Sequence, residues 1–212
     1  TDAVGVVEYA VYLEDAGDTT LLGVTAGTTY SLNDLAGATS YTAYVEAVDA
    51  AGNRSSRASV AITTPDGASP SQPTMLQVTG VSETTISVSW SASVDNVGVA
   101  GYRVYVEHLG DTTLFDTVTG LTATITGLAP AQSYTVHVEA IDDELNVSPR
   151  AATTGSTIDV TAPTEPGDLD AIAAETTIQL NWTAASDLVG VDDYRVYVDG
   201  ILNNPNGAGP TI

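Results

Sequence analysis

The sequence predicts an all-β protein of tandem seven-stranded antiparallel sandwiches, and three observations predict it. The first is an internal repeat: Asp2-Ala-Val-Gly-Val-Val-Glu-Tyr9 returns as Asp95-Asn-Val-Gly-Val-Ala-Gly-Tyr102 and as Asp187-Leu-Val-Gly-Val-Asp-Asp-Tyr194, 93 and then 92 residues on. The second is a hydrophobic period of two within each copy, the mark of strands with one buried and one wet face. The third is the spacing of short strands by turn signals, with no amphipathic helical stretch between them. A repeat of this length is a whole domain rather than a solenoid unit.

The register holds across the copies. Gly17, Leu35, Tyr41, Asp49, Asn53 and Arg57 map onto Gly110, Leu128, Tyr134, Asp142, Asn146 and Arg150 without a gap. Asp66, Pro70, Pro73 and Leu76 map onto Asp159, Pro163, Pro166 and Leu169, and Trp90 onto Trp182. The expected organisation is therefore a partial copy over 1–65 that lacks its first two strands, a complete copy over 66–158, and a partial copy over 159–212 that lacks its last strands. Half a sandwich leaves an apolar face that soluble monomers rarely tolerate. The chain thus reads as a segment of a longer array, with completion of the end domains by neighbouring subunits as the rival reading.

The strands of the complete copy follow in order. Ile86, Val88 and Trp90 alternate with Ser87 and Ser89; Tyr102, Val104 and Val106 alternate with Arg103, Tyr105 and Glu107; Tyr134, Val136, Val138 and Ala140 alternate with Thr135, His137 and Glu139. The apolar sets are the expected core. Gly110-Asp111, Thr126-Gly127 and Asp199-Gly200 are turn signals, the last a two-residue hairpin turn that wants positive φ.

These residues carry a resemblance. The entry Pro70-Ser-Gln-Pro73 with Leu76, Trp90 on the second strand, Tyr102 on the third, and Leu128 six residues before Tyr134 together resemble a fibronectin type III domain of the bacterial extracellular kind, an immunoglobulin-like sandwich. The resemblance implies that Trp90 and Tyr102 are core residues and that Tyr134 makes a corner hydrogen bond back to the backbone. Tyr41 with Leu35, and Trp182 with Tyr194, repeat parts of the pattern.

Composition excludes several functions. With 27 acidic and 5 basic residues the formal net charge is -22, and all five basic residues are Arg. Nucleic acid and anionic membranes are poor partners for such a surface. There is no Cys, hence no disulfide, thiolate zinc site or thiol nucleophile. No apolar run approaches the roughly 18 residues of a membrane span. His108 and His137 are not repeated, and no G-x-S-x-G, H-E-x-x-H or phosphate-cradling loop occurs, so no enzyme chemistry is expected. Both imidazoles read as solvated surface groups. Arg57, Arg150, Arg103 and Arg195 read as partners of outward carboxylates. Tyr12, Tyr105 and Tyr197 share one wet-face strand position, which favours a cross-strand role over a glycan platform.

The candidate site is a divalent cation at the junctions between copies. The incoming linker, the loop between strands two and three, and the loop between strands six and seven share one pole in this topology. The candidate oxygen ligands at those places are Asp66, Asp95, Asp142 and the amide of Asn146 at the middle junction, Asp159 and Asp187 at the next, and Asp2 and Asp49 in the first copy. Asp143 and Glu144 lie in the same loop as Asp142. Calcium takes six to eight hard oxygens and suits such clusters. The opposing expectation is plain turn chemistry, since Asp and Asn bond their own backbone. Copy two has Leu145 where copy one has Gly52, so a different loop shape is expected there. The sequons at Asn53, Asn146 and Asn181 are expected to be chance matches. The functional expectation is a non-catalytic spacer in a large secreted or cell-surface protein, adhesin-like, with calcium stiffening the junctions and the paired linker prolines favouring an extended rod. Its partners would be neighbouring domains of the same chain. The alternatives are a structural subunit of an extracellular filament or virion appendage, assembled from copies of itself, and a spacer of a secreted glycan-degrading enzyme.

Overall fold

The computed structural model describes residues 5–202. Every regular element among them is a strand: β1 (Val6–Asp15), β2 (Asp18–Thr25), β3 (Ser40–Asp49), β4 (Ala58–Thr63), β5 (Thr74–Val81), β6 (Ile86–Ser91), β7 (Gly101–His108), β8 (Asp111–Val118), β9 (Thr122–Ile125), β10 (Ser133–Ile141), β11 (Ala151–Ser156), β12 (Gly167–Ala173), β13 (Ile178–Thr183), β14 (Tyr197–Val198) and β15 (Ile201–Leu202). Among the described residues no helix is long and apolar enough to cross a membrane. The chain forms two compact units, one of Thr1–Pro73, Ala92–Tyr102 and Glu139–Arg150, the other of Thr74–Ser91, Arg103–Val138 and Ala151–Ile212.

Seven strands, β5 to β11, build the complete antiparallel sandwich from a β5-β6-β9 sheet and a β11-β10-β7-β8 sheet. The period-two expectation holds residue by residue. Ile86, Val88 and Trp90 on β6 and Val104 and Val106 on β7 are buried, as are Ala123 and Ile125 on β9 and Tyr134, Val136 and Val138 on β10. Their neighbours on β6, β7 and β9 are not, whereas on β10 the alternation ends at Glu139, which is buried as well. Each large side chain so buried contributes about 1.5–3 kcal/mol. Pro73, at the end of the linker, is fully buried.

Gly155 on β11 marks a close approach within the second unit. A Cβ there would lie 3.0 Å from Val78 Cγ2 and 3.5 Å from Ile86. Its counterpart in the first copy is Ile62, which is exposed.

In the first unit β2-β1-β3-β4 form one antiparallel sheet. Residues 29–32 of the first copy, the counterpart of β9, are not a strand. The reason is pairing: β9 is hydrogen-bonded to β6 alone, and the described residues of the first copy hold no equivalent of β6. In the third copy β12 pairs with β13, and the β7 counterpart survives only as the short β14-β15 hairpin. That hairpin turns on Asp199 and Gly200, both at positive φ (48° and 77°), as expected. The equivalent turns, Ala16-Gly17 and Leu109-Gly110, have the same backbone.

Three tying devices recur. Tyr134 Oη accepts a hydrogen bond from Ala129 N (2.9 Å), and Tyr41 Oη accepts one from Ala36 N (3.0 Å), the expected corner. Tyr102 Oη caps Ser93 N and Tyr194 Oη caps Ala185 N, both at 2.9 Å. At the end of each last strand a threonine hydroxyl clasps the corner loop: Thr157 accepts from Gln132 N and donates to Ala129 O, and Thr64 accepts from Thr39 N and donates to Ala36 O.

Candidate functional site

The middle junction gathers carboxylates from the linker and from the loop between β10 and β11. Asp66 follows the Thr64 clasp and begins an Asx turn, its Oδ1 accepting from Ala68 N (3.0 Å). The same oxygen accepts from Asn96 Nδ2 (3.1 Å), and the Asp66 carbonyl accepts from Asn146 Nδ2 (3.2 Å). Asp66 is 7% exposed, and its Oδ2 is buried without a hydrogen-bond partner.

The loop that meets it is shaped by its own aspartate. Asp142, 1% exposed, accepts from Asn146 N at Oδ1 (2.7 Å) and from Asn146 Nδ2 at Oδ2 (2.8 Å). An Ile141–Val147 bridge closes the loop, and Leu145 at φ 69° turns it. Asp49 and Asn53 build the same loop in the first copy, with Gly52 at φ 84°. The expectation of a different loop shape is therefore wrong. Gly52 N bonds Asp49 O and Leu145 N bonds Asp142 O, so the aspartate side chain and the closing bridge dictate the backbone, and Leu accepts the left-handed position. Amide donation from the Asn53 side chain, then from the Asn53 backbone, holds the Asp49 carboxyl below its ordinary range.

One carboxylate oxygen each from Asp66, Asp142 and the exposed Glu144 lie within 4.8 Å of one another. Like charges about 4 Å apart repel by about 4 kcal/mol at an effective dielectric near 20. The arrangement has the oxygen-only donor chemistry of a hard divalent cation.

The other expected ligands are placed differently. Asp95 is not in the cluster: its Oδ2 caps Val97 N and Gly98 N, and its Oδ1 is buried without a hydrogen-bond partner. The short-range Asx turn wins over the reach to the linker. Asp187 repeats this with Val189 N and Gly190 N and leaves its Oδ2 buried without a partner. Asp159 caps Thr161 N. Asp49 spends both oxygens on its loop, accepting from Ala51 and Asn53. Asp2 lies outside the described residues. Asn96, whose amide holds Asp66, was not among the expected residues; its position beside Asp95 in the repeated motif was the available signal. The amides of Asn53 and Asn146 are occupied by this turn chemistry, which accounts for two of the three sequons.

The wet faces carry ion pairs where arginines were expected to meet carboxylates. In the first copy Glu46, though on the outward phase, is 6% exposed because Tyr12 Oη, Arg54 and Arg57 all donate to it. Those donors, Tyr12 foremost, hold its carboxyl down to about 2. The Arg57 guanidinium lies 3.8 Å from the centroid of the Tyr12 ring. In the second copy Arg150 Nε meets Glu139 at 2.8 Å. The histidines are engaged rather than simply solvated. His137 Nε2 is 2.8 Å from Glu107, and the His108 ring centroid is 4.6 Å from that of Tyr134.

The family model described as fibronectin type III domain matches residues 71–156. Chitinase A1 of Niallia circulans is 45% identical over 155 residues, 70% of this chain and 21% of that protein. Exoglucanase B of Cellulomonas fimi is 38% identical over 212 residues, 92% of this chain and 19% of that protein. The chain thus spans about a fifth of the length of these relatives. Among solved structures, the FN1–FN3 domains of chicken CNTN1 align with a TM-score of 0.46 at 19% identity, over 73% of this chain and 57% of that one.

Proposed function

Residues 71–156 are a fibronectin type III domain, and from that premise we propose that the chain is a non-catalytic spacer of an extracellular glycan-degrading enzyme. One observation carries this reading: 92% of the chain resembles a fifth of an exoglucanase, and 70% of it a fifth of a chitinase. The relatives are named for chitin and for a glucan, and polymers of that kind are too large to enter a cell, so this reading places the chain outside it. The relatives favour this alternative over the adhesin stalk expected from the sequence.

The surface supports a connecting role. The repeated outward Glu and Arg positions are satisfied by one another, as in Glu46 with Arg57 and Glu139 with Arg150. Tyr12 has its ring beneath the Arg57 guanidinium instead of open to a sugar. The high negative charge keeps neighbouring chains apart in solution.

The test is sedimentation of the 212-residue chain with powdered chitin and with microcrystalline cellulose, alongside release of reducing sugar. The expected result is neither retention nor hydrolysis. Retention on either polymer would replace the spacer with a glycan-binding module, and sugar release would replace it with an enzyme.

A further inference from the structure

We propose that Asp66, Asp142 and Glu144 form a calcium site that fastens the linker to the loop between β10 and β11. It does not depend on the enzyme reading above. Two independent features carry it. The first is the group itself, three carboxylate oxygens within 4.8 Å of one another. Calcium–oxygen bonds of about 2.3–2.6 Å place two ligands of one ion up to about 4.6–5.2 Å apart, so oxygens this close can share one ion, and the near-octahedral geometry and retained water that magnesium demands suit a site of mixed, partly buried carboxylates less well. The second is Asp66 Oδ2. Asp66 is 93% removed from solvent, and this oxygen has no donor, although its partner Oδ1 has two. A buried acceptor left without a donor costs about 1–3 kcal/mol, more when charged. Asp142 and Glu144 are what the Asp66 carboxylate meets, and a cation between the three satisfies the orphaned oxygen and offsets the repulsion.

The amides present already orient the ligands. Asn96 fixes Asp66 Oδ1, so that Oδ2 is the oxygen left free, and Asn146 holds both Asp142 and the Asp66 carbonyl. Water completes the coordination on the side where Glu144 is exposed. Asp95 and Asp187 also leave one buried oxygen unpartnered, but neither belongs to a group of three acidic residues among the described residues. The site needs both a linker carboxylate and the loop after β10, which only the middle junction supplies within them. An affinity of about 10⁻⁴–10⁻³ M, that of extracellular calcium modules, is expected.

Calorimetric titration of chelator-stripped chain with calcium chloride to about 10 mM, paired with thermal melts in calcium and in chelator, tests this. The expected result is one saturable site and a melt several degrees higher in calcium. Asp66→Asn abolishes both effects, Glu144→Gln weakens binding at least about tenfold, Asp187→Asn changes nothing, and magnesium binds at least about tenfold more weakly than calcium. No saturable heat, identical melts, or undiminished affinity in Glu144→Gln would overturn the proposal. Glu144 is exposed, so its variant folds and remains decisive even where Asp66→Asn does not.

Discussion

Leu145 occupies the left-handed backbone position that Gly52 occupies 93 residues earlier, at φ 69° against 84°. The two loops make the same backbone hydrogen bonds, so a bulky side chain stands where glycine fits without strain. A non-glycine residue there costs about 1–2 kcal/mol. Leu145 is 69% exposed and gives little packing in return. Leu145→Gly is expected to leave the loop unchanged and to stabilise the second domain by up to about 1 kcal/mol, after the greater chain entropy of glycine is set against the relieved strain. Urea denaturation of both proteins measures it; a loss of stability would show that Leu145 packs in a way its exposure conceals.

Gly155 is expected to be intolerant of size. Its Cα approaches Val78 and the fully buried Ile86, and a Cβ would already sit 3.0 Å from Val78 Cγ2. Gly155→Val should therefore destabilise the central sandwich by about 1–3 kcal/mol through overpacking. That corresponds to a fall of several degrees in melting temperature for each kcal/mol in a domain of this size. An unchanged melt would show that β11 can move away from β5.

Tyr134→Phe deletes the hydroxyl that accepts from Ala129 N and leaves the ring in place. The cost is about 1–3 kcal/mol, the desolvation of an amide without its acceptor. Amide hydrogen exchange at Ala129 should speed up more than exchange in the middle of β6. Equal acceleration across the domain would assign the loss to core packing instead.

Glu46 makes stability depend on acid. Its carboxyl is held near 2 in the fold by the Tyr12 hydroxyl, then Arg54, with Arg57 adding to them, against an ordinary value of 4.5. The depressed value means that the stabilisation is fully present above about pH 4.5 and is lost as the pH falls toward 2. Denaturation midpoints of the wild-type chain and Glu46→Gln, followed from pH 7 to 2, should differ most at neutral pH and converge on acidification. A constant gap would show that the carboxylate charge is not what Tyr12 and the arginines hold.

The sandwich was legible because β-strand burial has a strict period, and Ile86-Ser-Val-Ser-Trp90 shows it in five residues. The corner tyrosines were legible through the spacing from Leu128 to Tyr134 and its repetition at Leu35 and Tyr41. Residues 29–32 were not, because strand formation there depends on a distant partner and a local pattern carries no record of it. The acidic junction was legible in part. Asp66 and Asp142 could be placed at one pole from the repeat, but whether Asp95 joined them depended on the competing capture of its carboxylate by the amides of Val97 and Gly98, two and three residues further on. Asn96, next to it, took the linker contact instead. Adjacent residues that point opposite ways are beyond what position in a repeat can sort.

The threonine clasps at Thr64 and Thr157 bear on how such a chain can lengthen. Each joins the end of a repeat to that repeat's own corner loop, at Ala36 in one case and Ala129 in the other. A duplicated stretch of genetic material one repeat long carries both halves of its clasp with it, so an inserted cassette closes itself without drawing on the sequence on either side. Arrays built this way are expected to vary by whole repeats, and a truncation between Ala129 and Thr157 should be far more damaging than one just beyond the threonine.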